Sequence, residues 1–108
     1  IDLEHPLESI AANVTLHNSN QNIDWVVTRV SKLCQNYSID GIVVHLLKTC
    51  RPWSARQLLV IDGVSRRLGI PVVVFEGDQS DPTFYNESQV DMKLQALIET
   101  IDGRRRVD

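Results

Sequence analysis

The 108-residue sequence predicts an α/β chain built on a small parallel sheet. Three observations lead there. Two short apolar runs rich in β-branched residues, Ile42–Leu47 and Ile70–Phe75, read as strands covered on both faces. The stretch between them, Ser54–Leu68, returns to helical spacing, and a strand–helix–strand unit implies parallel strands with a right-handed crossover. Amphipathic stretches flank this unit, giving the order helix, helix, strand, helix, strand, helix.

Pro6 suits the first turn of a helix, and Leu7, Ile10, Ala11 and Val14 follow at helical spacing. "ANVTL" at 12–16 fits the end of that helix or a third strand. The polar tract His17–Asn22 reads as a loop. Ile23, Val26, Val27, Val30, Leu33 and Cys34 form one stripe, so residues 21–37 read as a second helix, and Cys34 on that stripe reads as core. Asp40–Gly41 is a turn before the first strand. Ser54 with Gln57 is a capping-box pattern that starts the third helix immediately after Trp53, and Gly69 stops it. After the second strand, residues 77–82 read as a loop. Asn86 with Gln89 is another capping box, and Val90, Leu94, Leu97, Ile98 and Ile101 make the last stripe. The basic cluster Arg104–Arg106 falls in a solvated tail, residues 103–108.

Two strands alone make a poor core, and no initiator Met opens the chain. Residues 1–108 are therefore expected to be one α/β piece of a longer protein. A net charge of −3 leaves no footprint for nucleic acid or an anionic membrane, and no apolar run approaches the roughly 20 residues of a membrane span. Two cysteines make no disulfide framework and suit a reducing, cytoplasmic setting.

In parallel sheets, ligands bind beyond the carboxyl ends of the strands. Two loops should meet there, Lys48–Trp53 and Glu76–Tyr85. The first places Cys50 between Lys48 and Arg51, just before a helix whose positive dipole end points back at it; both effects favour thiolate, the form that binds metal. Pro52 stiffens the approach and Trp53 shields it from water. A lone cysteine at a helix start is also, more often, an inert small side chain. One cysteine cannot hold a cluster or a zinc ion, and no C-x-x-C occurs. His45, inside an apolar strand, is expected to be a hydrogen-bonded core histidine rather than a catalyst. Asp78 and Asp81 flank a turn, where Asp bonds its own backbone. No Gly-rich phosphate loop or G-x-S-x-G elbow is present.

The stretches "DGIVVHLLKTCRPWS", "LGIPVVVFEGDQSDPTFYNESQ" and "KLQALIE" resemble the C-terminal part of 2-hydroxyacyl-CoA dehydratase and benzoyl-CoA reductase subunits of the D-component type. The pattern there runs approximately D-G-V-x-x-H, R-S-C-K-P-x-S, L-G-I-P, D-G-D, D-P-R-x-Y-S-E-x-Q and T-R-x-E-A-F, and order and spacing agree across nearly the whole chain. The resemblance implies Rossmann-like α/β parts around a [4Fe–4S] cluster held by three cysteines, in oxygen-sensitive enzymes of anaerobic metabolism. It further implies an ATP-hydrolysing activator protein that delivers one electron, a sister subunit and an acyl-CoA substrate. In the dehydratases a ketyl radical of the (R)-2-hydroxyacyl-CoA loses water to give the enoyl-CoA; the reductases instead reduce the ring of benzoyl-CoA.

Cys50 matches the last cluster cysteine of that pattern, with the other two ligands outside this chain, so the chain alone should bind no cluster and not turn over. His45, Ser54, Gln57, Gly77, Asp78, Asp81, Tyr85, Glu87 and Gln89 also match pattern positions. Of these, His45 and Ser54 are the catalytic candidates; Gln57, Asp78 and Asp81, with Trp53, are the pocket candidates. Thr83 and Lys93 stand where the pattern has Arg, Asn86 where it has Ser and Gln95 where it has Glu, which implies altered substrate recognition or a non-catalytic interaction role.

Overall fold

Among the described residues, two parallel strands carry the fold. The computed structural model describes residues 2–106. Strand β1 (Ile42–Leu47) pairs with β2 (Val72–Gly77), Ile42 opposite Val72 and Leu47 opposite Gly77. The second strand begins two residues later than the apolar run predicts. Pro71 has no N–H to give the ladder, and only its carbonyl takes part, accepting from Ile42 N at 3.0 Å. At the far end, Lys48 N donates to Gly77 O and carries the pairing through Glu76–Gly77.

Among the described residues there are four helices, α1 (Pro6–Thr15), α2 (Ile23–Asn36), α3 (Arg51–Leu68) and α4 (Glu87–Arg105), with short 3₁₀ turns at Asn18–Asn20 and Pro82–Phe84; α3 packs on β1, α4 on β2 and α2 on α3. "ANVTL" is thus helical and not a strand. Helix α2 starts on Asn22, whose side chain accepts from Trp25 N, and α4 starts on Asn86, which accepts from Gln89 N, as the capping pattern there predicts. Helix α3 departs from its predicted start. It begins at Arg51 with Cys50 at the N-cap position, because Pro52 fits the first turn, where its missing N–H is no loss. Ser54 lies inside the helix and caps nothing. Its hydroxyl donates to Leu47 O at 2.8 Å. Gly69 ends α3 at φ 69°, a conformation that favours glycine.

The core lies between α2 and α3, where Val26, Cys34, Val60 and Val64 are buried, and Val64 is completely enclosed. Cys34 is therefore core, as expected. A Cβ on Gly63 would stand 2.8 Å from Val27 Cγ2, so the glycine lets the two helices approach closely. Leu33 and Ile98 fall off their predicted stripes and are exposed. Helix α4 packs on β2 and buries Leu97. It runs to Arg105, into the stretch read as a tail: Arg105 reaches the Asp40 carboxylate at 2.5 Å and Arg104 reaches the Gly69 carbonyl.

The sheet is not covered on both faces. Val44 and Leu46 are buried, while the alternate residues Val43 and His45 are exposed. Helix α1 buries no residue; Leu7, Ile10 and Val14 face solvent. The radius of gyration is 17.2 Å, against about 13 Å for a compact domain of this length. No helix among the described residues is long and apolar enough to cross a membrane.

Candidate functional site

At the carboxyl end of β1 the chain turns sharply. Cys50 N donates to Leu47 O at 3.1 Å, the Ser54 hydroxyl donates to the same carbonyl, and Ser54 N donates to Cys50 O at 3.0 Å. Three bonds thus hold residues 47–54 as one unit, with Cys50 at the strand-to-helix junction. Its thiol is free, half-buried and at the positive end of α3. Ser54, a catalytic candidate on sequence, commits its proton to this turn.

The loop after β2 lies alongside, as the strand order requires. Thr49 Oγ1 donates to Asp78 Oδ2 at 2.7 Å, and Ser80 N donates to Asp78 Oδ1 at 2.8 Å. The Ser80 bond first, then the Thr49 hydroxyl, holds the Asp78 carboxyl below its ordinary pKa. Asp81 caps the Pro82–Phe84 turn. Its carboxylate accepts from Thr83 Oγ1 and Thr83 N, and those bonds lower its pKa in the same way, the hydroxyl more than the amide. Asp81 therefore serves its own loop, as its turn setting predicts, whereas Asp78 bonds its own loop through Ser80 and ties it to the loop after β1 through Thr49. Lys48 Nζ sits 4.1 Å from the centre of the Phe84 ring, a second tie between the loops.

Among the described residues two clefts open on the sheet. The larger, about 520 Å³, runs between the strands and α4; Leu46, Val74 and Val90 form its apolar part, with Lys48, Glu76, Thr83, Phe84, Asn86, Gln89 and Lys93 around them. The second, about 350 Å³, brings together Trp53, Gln57 and His45 with Val43 and Val60. His45 is not the core histidine its strand suggests. Its residue is exposed, its ring tilts against Phe75 at 5.3 Å between centroids, and a Cβ on Gly77 would meet its Nε2 at 2.6 Å. Alternation puts His45 on the uncovered face. Trp53 is 37% exposed, and Gln57 Oε1 is buried without a hydrogen-bond partner. Neither Cys50 nor Asp78 nor Asp81 lines either cleft.

Lys93 belongs to the larger cleft, where its ammonium donates to Val74 O at 2.7 Å. The signal for it is in the sequence: Lys93 interrupts the Val90–Leu97 stripe at a buried-face position. The departures Thr83, Asn86 and Lys93 converge on this one cleft.

The donor set bears on a metal. Among the described residues no group of three or more His, Cys, Asp or Glu is close enough to hold an ion. A single half-buried thiol on an open strand end fits a residue that contributes one ligand to a site completed by others, and does not fit a closed site within this chain.

A parallel strand–helix–strand unit, with a thiol on the first turn and one cleft beside the carboxyl ends of the strands, makes this an α/β chain, the class in which ligands commonly bind beyond that edge. The family model described as "2-hydroxyglutaryl-CoA dehydratase, D-component" matches residues 1–101, and the chain belongs to that family. It is 34% identical over 56 residues to the (R)-phenyllactyl-CoA dehydratase alpha subunit of Clostridium sporogenes, a match covering 52% of this chain and 14% of the relative. It is 33% identical over 52 residues to subunit alpha of the (R)-2-hydroxyglutaryl-CoA dehydratase of Acidaminococcus fermentans, covering 48% of this chain and 11% of the relative. The matched stretch is thus a small part of either relative's length.

Proposed function

We propose that residues 1–108 form part of a subunit of a cytoplasmic 2-hydroxyacyl-CoA dehydratase, which removes water from an (R)-2-hydroxyacyl-CoA to leave the enoyl-CoA. The family match over residues 1–101 and the names of both relatives support the reaction class. The alpha-subunit names support a sister subunit, and the family resemblance adds an ATP-dependent activator.

The placement of Cys50 carries the residue assignment. It is a free thiol on a backbone-pinned turn, at the positive end of α3, with Arg51 next to it and Lys48 two residues before. In this reading Cys50 is one ligand of a [4Fe–4S] cluster, and the other protein ligands lie outside residues 2–106. Such a cluster, when bound, supplies single electrons at low potential. This chain's residues do the holding. The bonds of Ser54 and Cys50 to Leu47 O fix where the sulfur sits, and Thr49 and Asp78 lock the neighbouring loop; Pro52 and Trp53 are themselves exposed and do not shield it.

Anaerobic reconstitution of the full-length protein tests the assignment. The wild type should take up about four irons and Cys50→Ser markedly fewer, with loss of dehydration. Unchanged iron content in Cys50→Ser would remove Cys50 as a ligand.

A further inference from the structure

The 520 Å³ cleft is unevenly charged. Lys48 enters it from the end of β1, and Lys93 enters from α4. Each ammonium is already placed, Lys48 over the Phe84 ring and Lys93 on Val74 O. A lysine carries three donors, and the single carbonyl bond of Lys93 leaves two for a ligand. No ion pair among the described residues includes either lysine. Glu76 is the only carboxylate in the described lining. Two ammonium groups against one carboxylate make the cleft positive within a chain of net charge −3. The amides of Asn86 and Gln89 stand near an apolar floor of Leu46, Val74 and Val90. An apolar floor with a few convergent polar groups, at this volume, is the anatomy of a small-molecule site.

We infer that this cleft seats the anionic end of a small organic ligand, a carboxylate or phosphate between Lys48 and Lys93, with the ligand's apolar part against Phe84 and Val90. The inference rests on the dehydratase reading, in which the substrate can offer both anions: phosphates on its coenzyme A and, for a diacid, a carboxylate on its acyl chain. Glu76 repels an anion from its own side of the cleft and so favours one orientation.

Equilibrium binding to the full-length protein, with coenzyme A and glutarate as separate probes, tests it. Lys48→Met and Lys93→Met should each weaken one probe about tenfold, the effect of losing roughly 1.4 kcal/mol of charge interaction. Loss confined to glutarate supports a carboxylate seat, and loss confined to coenzyme A supports a phosphate seat. Lys93→Arg, which keeps charge and donors, should retain binding and so separates lost attraction from lost packing at Val74 O. Probes bound equally by the wild type and both methionine variants, or by none of them, overturn the inference. Iron content of the same samples separates the two readings: iron-loaded variants with unchanged probe binding defeat this inference alone, whereas an iron-free wild type defeats the cluster assignment alone.

Discussion

Replacing Gly63 by alanine should destabilise the protein even though alanine is the better helix former. In an exposed helix interior the change favours folding by about 1 kcal/mol. Gly63 is not in that setting: its new Cβ would stand 2.8 Å from Val27 Cγ2 and 3.3 Å from Cγ1. Ordinary carbon contacts begin near 3.5 Å, so α2 and α3 must separate by roughly 0.7 Å. Val27 cannot swing aside, because a β-branched side chain in a helix has one strongly favoured rotamer. Overpacking of this kind costs about 1–3 kcal/mol, so Gly63→Ala should lower stability by about 1 kcal/mol net. The double variant Gly63→Ala/Val27→Ala should be more stable than Val27→Ala alone, since the clash is gone and only the helix preference remains. Urea unfolding followed by far-ultraviolet circular dichroism measures all four species. A Gly63→Ala protein more stable than wild type would refute the close approach of the helices. That approach fixes α3, and α3 presents Cys50.

Other consequences can be checked with single substitutions. Ser54→Ala removes the bond to Leu47 O and should cost about 1 kcal/mol in urea unfolding; it should also speed alkylation of Cys50 by loosening its turn, and an unchanged rate would count against the pinned geometry. Gln57→Leu replaces a buried, unpartnered acceptor in an apolar cleft and should stabilise the chain by about 1 kcal/mol; marked destabilisation would mean that the carbonyl oxygen has a partner. Asp78 should titrate below the ordinary aspartate range, because the Ser80 amide and then the Thr49 hydroxyl bond its charged form; the loop is stabilised fully above the unfolded value and loses that contribution as pH falls through the native one. Carbon NMR of the carboxyl reads the midpoint, Thr49→Val should raise it, and a wild-type midpoint at or above that of an unstructured aspartate would contradict the Ser80 and Thr49 bonds.

What the sequence discloses is mostly what short-range chemistry decides. The limits of β1 are legible because five apolar residues, interrupted only by His45, run between Gly41 and Lys48. The cap at Asn86 is legible because its side chain reaches an amide three residues on; the Asn22 cap, of the same reach, starts α2 two residues later than the spacing predicts. Ser54 misleads for the opposite reason. Its pattern matches a cap, yet its proton goes to a carbonyl seven residues back, at a strand end that local spacing does not locate. The exposure of His45 depends on what covers the second face of the sheet, and alternation alone does not say. The extension of α4 through Arg105 is likewise held by partners 35 and 65 residues away. Within the site, Cys50 and its cations are visible in sequence. The convergence of Lys48, Lys93 and Phe84 on one cleft requires the parallel pairing that brings β1 and β2 together.

The central claim is a bond between iron and the sulfur of Cys50. Placing selenocysteine at position 50 of the full-length protein, reconstituting it without oxygen and recording selenium-edge X-ray absorption looks at that atom directly. Iron in the first shell around selenium is the predicted result. A shell containing only carbon, in a protein that has taken up its iron, would contradict it.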